Sequence, residues 1–280
     1  MAGEGLPVQA ATRLLGCSES GYYEWLGRGP SARDLRHVLL TEVVREIHTA
    51  SRGTYGARRV HAELTMGRGM QVWHGTVEAL MARAGLRGIS GRPRWIKARP
   101  DLISTDLVDR KFSREQTNQL WVTDITEHPT RERKVYCAVV LDVCSRRVVG
   151  WSIDSSPTAA LTTNALGMAI DQRNPAAGTV IHSDHGVQVG SWAFTTRAKE
   201  SGLVPSMGSI GDCYDNAVIE SFWSRMQVEL LNRRRWKTRI ELANAIFEYL
   251  EIFHNRQRRH SALGWLTPIE FEKQTTITVD

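Results

Sequence analysis

Leu120-Trp121-Val122-Thr123-Asp124-Ile125-Thr126 decides the fold. β-branched and aromatic residues dominate it, as they do in strands. Its one charge, Asp124, interrupts an otherwise uncharged run, which is costly unless a cation compensates it. Working outward, Lys134–Val143 and Arg146–Ile153 read as two more strands joined at Cys144-Ser145, so the three form an antiparallel meander. Thr179–Ser183 and Leu203–Ser206 read as short strands, and helices are expected at Thr158–Ile170 and Trp192–Ser201. Two longer helices close the region, Asp215–Leu231 and Thr238–His254. The second opens with the capping box Thr238-x-x-Glu241. The expectation is an α/β domain over residues 112–275, with a mixed five-stranded sheet and flanking helices.

Upstream the pattern is helical. Val8–Leu15 has helical spacing, Gly16-Cys17-Ser18 breaks it, and Ser18 suits the N-cap of a second helix reaching Leu26. That is helix-turn-helix grammar over residues 1–38, and a plain helical hairpin fits it equally. Leu39–His48, Ala57–Leu64 and Thr76–Ala84 make a second helical unit over residues 39–99, whose basic tail Gly88–Pro100 reads as a linker. This unit is expected to be separable from the catalytic region.

The 280 residues carry a net charge of +6. Charge is clustered: one run lies between Ala79 and Pro100, a second at Arg233, Arg234, Arg235, Lys237 and Arg239, a third at Arg256, Arg258 and Arg259. Guanidinium forks match phosphate oxygens, so the clusters suit a nucleic-acid backbone. Solvated faces are the competing reading. The tail residues Arg258, Arg259 and His260 are expected to be exposed or to face an anion, since so many cations need many partners to be buried. Cys17, Cys137, Cys144 and Cys213 form no C-x-x-C pair, which excludes a zinc finger or a disulfide framework. Met1–Pro7 has no signal-peptide character and no apolar run approaches a membrane span, so a cytoplasmic protein with no membrane partner is expected.

Asp124, Asp184 and Glu220 are the candidate catalytic and metal-binding residues. Asp184 follows the buried run Val180-Ile181-His182-Ser183, at the carboxyl end of a strand, where α/β sheets place ligand sites. Glu220 lies between Ile219 and Phe222-Trp223 on a helix. Three carboxylates without cysteine suit Mg²⁺ or Mn²⁺. Two such ions can activate a water or hydroxyl and stabilise the leaving oxygen of a phosphodiester. The alternative is three unrelated carboxylates, one in a salt bridge and two in turns. His182 and His185 fit hydrogen bonding around such a site better than zinc. Asp142 reads as a structural carboxylate paired with Arg146. Trp73, Trp95, Trp192, Trp223 and Trp265 read as core or interface residues.

Several motifs occur in order: Tyr55-Gly56-Ala57-Arg58-Arg59-Val60, Trp121–Thr126, Leu141-Asp142-Val143-Cys144-Ser145-Arg146, Ile181-His182-Ser183-Asp184-His185-Gly186, Gly211–Phe222 and His254–Gly264. Through them the chain resembles the DDE transposases of the retroviral-integrase superfamily. More narrowly it resembles the OrfB proteins of bacterial insertion sequences with overlapping OrfA and OrfB frames. The resemblance implies an RNase H-like catalytic domain with Asp124, Asp184 and Glu220 as its acidic trio. It also implies hydrolytic nicking at a transposon end and attack of the freed 3′-hydroxyl on a second phosphodiester. DNA, a homo-oligomer on it, and an OrfA protein or frameshift fusion are the implied partners, in a bacterial, nucleoid-associated setting. Arg58, Arg59, Asn216, Gln227, Arg258 and Arg259 are the candidate DNA contacts. Gln227 departs from the superfamily, which often has Lys or Arg seven residues after the glutamate. Competing readings are a simple RNase H-like nuclease and a catalytically inactive or domesticated DNA-binding regulator.

Overall fold

The computed structural model describes residues 7–89, 116–183, 191–207 and 217–277. The basic linker, Asp184, His185, Trp95 and Asn216 lie outside the described residues.

Five strands form one sheet in the order β3-β2-β1-β4-β5: β1 (Leu120–Pro129), β2 (Lys134–Asp142), β3 (Val148–Asp154), β4 (Val180–Ser183) and β5 (Val204–Met207). β1 pairs antiparallel with β2, and β2 with β3. On its other side β1 pairs parallel with β4, and β4 with β5. The sheet is therefore mixed, a meander extended by two crossover strands. Side chains alternate between its faces. Trp121, Ala138, Val140, Val149 and Ile181 bury one face under α6 (Ala159–Arg173) and α7 (Trp192–Glu200). Gly150 permits the close approach of α6, because a Cβ there would lie 2.2 Å from the Ala165 carbonyl oxygen.

Leu120, Val122, Val139 and Leu141 point to the other face, where α8 (Ala217–Glu229) and α9 (Arg239–Glu248) pack. α9 continues without a break as a π-helical stretch, Tyr249–Gln257. The wider π turn changes which side chains face inward. Tyr249, Leu250, Phe253, His254 and Asn255 are all buried; upstream, in the regular part of α9, Leu242 and Ile246 are buried and Ile240 is exposed. The Asn255 amide accepts from Val148 N–H and donates to Val148 O, both at 2.9 Å, and so satisfies the free edge of β3. The capping box of α9 is half formed. Thr238 Oγ1 accepts from Glu241 N–H, but the Glu241 carboxylate accepts from Lys237.

Upstream, α1 (Val8–Leu15) ends at Gly16, which adopts a left-handed φ of 69°, and Ser18 caps α2 (Glu19–Gly27). α3 (Ala32–Ala50) begins at a full capping box between Ser31 and Asp34, so the expected division at 38/39 falls inside one helix. α4 (Ala57–Ala62), a π turn (Glu63–Gly67) and α5 (His74–Arg83) complete the unit. Against the expectation of separability, these helices share a continuous core with the sheet domain. Val44, Ile47, Tyr55, Val60, Leu64, Val77 and Met81 cluster with Trp223, Met226, Tyr249 and Phe253. The Tyr55 hydroxyl donates to Gln257 O at 2.9 Å and accepts from Arg259 N–H at 2.8 Å, crossing the same junction. The last helix is α10 (Pro268–Ile277).

Candidate functional site

The site is built on β1 and α8. Period two places Asp124 on the face of Leu120 and Val122, toward α8. There the Trp223 indole N–H donates to Asp124 Oδ2 at 2.9 Å, and Ile125 N–H donates to Oδ1 at 2.7 Å. Trp223 is one helical turn from Glu220, which is exposed on α8. β4 ends at Ser183, which pairs in register with Thr123, the residue before Asp124. Among the described residues no three His, Cys, Asp or Glu form a metal-holding group. The two described members of the trio, on β1 and on the helix packed against it, are carboxylates, the ligand type that Mg²⁺ and Mn²⁺ prefer.

The remaining candidates divide. Gln227 is exposed two turns beyond Glu220, and Arg58 is exposed at the start of α4. Arg59 is half-buried, donates to Arg259 O at 3.2 Å and lies 3.4 Å from Glu229. Of the two outcomes expected for the basic tail, exposure or facing an anion, Arg258 and Arg259 take the second: they are only 4% and 3% exposed and face carboxylates. The Arg258 fork grips both oxygens of Glu229 at 2.8 Å each. Arg259 is held by Glu63 at 2.7 Å and Glu270 at 2.6 Å. Remote carboxylates supply the partners that make this burial affordable. Burial works to raise the Glu229 carboxyl, but Arg258, with Arg59 and the Tyr249 hydroxyl, outweighs it and holds the group below its ordinary value.

Asp142 is also not the partner of Arg146. It is buried and accepts from the backbone N–H groups of Asn118, Cys144 and Ser145 at 2.6, 2.9 and 2.9 Å, tying the β2–β3 turn to the start of β1. Burial raises its carboxyl despite these bonds. His182 is buried, with Nδ1 3.1 Å from the Ser206 hydroxyl. Trp223 is buried and Trp265 half-buried, whereas Trp73 and Trp192 are 86% and 81% exposed and do not belong to the core.

Sequence reasoning missed two roles. One is Trp223 as the hydrogen-bond donor to Asp124; its apolar neighbours gave no sign of it. The other is Glu229 as the charge hub. Its signal was present, since Glu229 continues the buried stripe Ile219, Phe222, Met226 at helical spacing.

Comparison with known proteins adds the following. An integrase core domain model matches residues 114–213, and a second integrase core domain model matches residues 201–268. An HTH-like domain model matches residues 36–94, the second helical unit rather than the first. The transposase InsF of insertion sequence IS3A from Escherichia coli K12 is 35% identical over 272 residues, 95% of this chain and 94% of that protein. The transposase of insertion sequence element IS629 from Shigella sonnei is 37% identical over 245 residues, 87% of this chain and 82% of that protein. The HTLV-2 integrase catalytic core domain, solved in complex with magnesium, aligns at a TM-score of 0.40 and 20% identity, over 55% of this chain and 96% of that one.

Proposed function

Because the chain belongs to the integrase-core transposases of IS3-type insertion sequences, we propose that it nicks DNA at transposon 3′ ends and transfers the freed strands to a target. Asp124, Asp184 and Glu220 are the catalytic carboxylates and hold two Mg²⁺ or Mn²⁺ ions. When bound, the ions activate the attacking water or 3′-hydroxyl and stabilise the leaving oxygen. The observation that carries the reading is the Trp223 to Asp124 hydrogen bond. It seats α8 on the Asp124 face of β1, one turn from Glu220. Trp223 and Ile125 N–H fix the orientation of the Asp124 carboxylate, a positioning role that leaves its chemistry intact. Asp184 directly follows Ser183, whose register partner precedes Asp124. Gln227 and Arg58, both exposed, are proposed DNA contacts, together with Asn216, four residues before Glu220 in the sequence. DNA ends and target are the partners, bound by a homo-oligomer, alone or with an upstream OrfA protein or as a frameshift fusion.

The test uses the full chain and a plasmid carrying the element's own ends. Asp124→Asn should abolish end nicking and strand transfer while leaving DNA affinity within about threefold of wild type, since the trio acts in chemistry and not in recognition. Chelation by EDTA should stop both reactions, and added Mg²⁺ should restore them. Strand transfer by Asp124→Asn at the wild-type rate would refute the assignment.

A further inference from the structure

The flank of α8 away from Glu220 carries a second feature. At about 100° per residue, Val218 and Arg225 lie roughly opposite Glu220 and Gln227 around the helix, and Ser221 lies about a quarter turn from Glu220. They form one wall of an open cavity of about 360 Å³. Arg59 from α4, Arg146 from the β2–β3 turn, and Arg258 and His260 from the segment after the π turn form the rest of its charged wall. Among the described residues no Asp or Glu lines it. Both oxygens of Glu229 are already taken by Arg258, with Arg59 at 3.4 Å. Arg146 and Arg225 make no ion pair with a carboxylate among the described residues. Burial and the converging charges of Arg258, His254, Arg59 and Arg146 hold the His260 imidazole well below its ordinary value. Four guanidinium groups thus share one neutralising carboxylate around a space that opens past exposed Ser221, Arg225 and Ser261.

We propose that this cavity is a phosphate site, and that its occupant is one phosphodiester of a bound DNA strand. Forked donors arriving from separate elements suit an anion with several oxygens, and the Ser221 and Ser261 hydroxyls stand at its mouth. The phosphate held there lies around α8 from Glu220, on the side of Val218 and Arg225. The identity of the occupant rests on the DNA reading above; the existence of the site does not.

Two measurements on the full chain test it. The first follows the melting temperature as inorganic phosphate is added, against chloride at equal ionic strength. Phosphate should stabilise the wild type saturably. Arg225→Gln, at an exposed position, and Arg146→Gln should each weaken the apparent affinity by about tenfold, the loss of one charge-assisted bond. The second measures DNA affinity against salt. Arg225→Gln should make the slope of log affinity on log salt shallower by about 1, for one lost phosphate contact. No stabilisation beyond chloride, or unchanged phosphate affinity in both variants, would overturn the site. Weakened phosphate binding with an unchanged salt slope would overturn the DNA strand as occupant and leave free phosphate. A wild-type chain that binds phosphate but no DNA would remove the transposase reading and the strand together, while the site itself would stand.

Discussion

Residues 233–239 and 256–260 carry similar charge at similar density, and the fold uses them in opposite ways. Arg233, Arg234 and Arg235 are exposed. Arg234 lies 4.2 Å over the ring of Trp236, itself buried, and 3.3 Å from Glu241, while its own guanidinium stays at the surface. Arg258 and Arg259 are buried, matched to carboxylates from other elements of the fold, Glu229, Glu63 and Glu270. The fate of a basic cluster is thus decided by acids on other elements, and local density does not reveal it. The first cluster remains available to an anionic partner. The second fastens α8, the π turn after α4 and α10 together.

The largest effect should come from breaking the buried set. Glu229→Leu leaves Arg258 charged and buried without its partner, and should cost about 3–5 kcal/mol of stability in urea denaturation. A loss below about 1 kcal/mol would mean that Arg258 reaches solvent.

Acid should act next. The His254 Nε2–H donates to Arg146 O at 2.8 Å inside the core, and burial with Arg258 nearby lowers the imidazole to about 4. The unfolded chain takes up this proton below about 6.5 while the folded chain does not, so stability falls as pH drops through that window and levels off near 4. A gap of about 2.5 units corresponds to roughly 3 kcal/mol. His260, lowered in the same direction, adds to the fall. Glu229 adds a further loss at lower pH, because its depressed carboxyl stabilises the fold only while ionised. Melting temperatures across pH 4–7 should show the decline, and His254→Gln should flatten part of it. A flat profile in the wild type would place these imidazoles in water.

The smallest effect sharpens the contrast. Arg235→Ala in the exposed cluster should leave stability within about 0.5 kcal/mol. If that cluster meets DNA, the salt slope should become shallower by about 1. A large loss of stability would show that both clusters are structural.

These expectations also mark what the sequence could yield. The strands were legible because they are rich in β-branched residues, and Asp124 stood out as the one charge within Leu120–Thr126. The break at Gly16 and the cap at Ser18 were legible because turn and cap chemistry is local. The start of α3 was missed because Ser31 and Asp34 form their box directly after Gly29-Pro30, a step that breaks helical spacing. The burial of Arg258 and Arg259 was illegible because their partners lie 29, 196 and 11 residues away. The π stretch likewise has no local marker. It emerges from packing and brings Tyr249, Leu250, Phe253, His254 and Asn255 inward together.

The shared core beneath the N-terminal helices has an evolutionary consequence. A unit joined by a flexible tether could be traded between mobile elements by recombination at the tether. Here a foreign helical unit would have to supply a Tyr55 hydroxyl for the Gln257 carbonyl and the Arg259 N–H, and a Glu63 carboxylate for Arg259, together with a matching apolar surface. A chimera meeting only some of these demands would inherit an orphaned charge at the seam. The two parts should therefore descend together, with changes at positions 55, 63 and 259 constrained by one another rather than by their own domains.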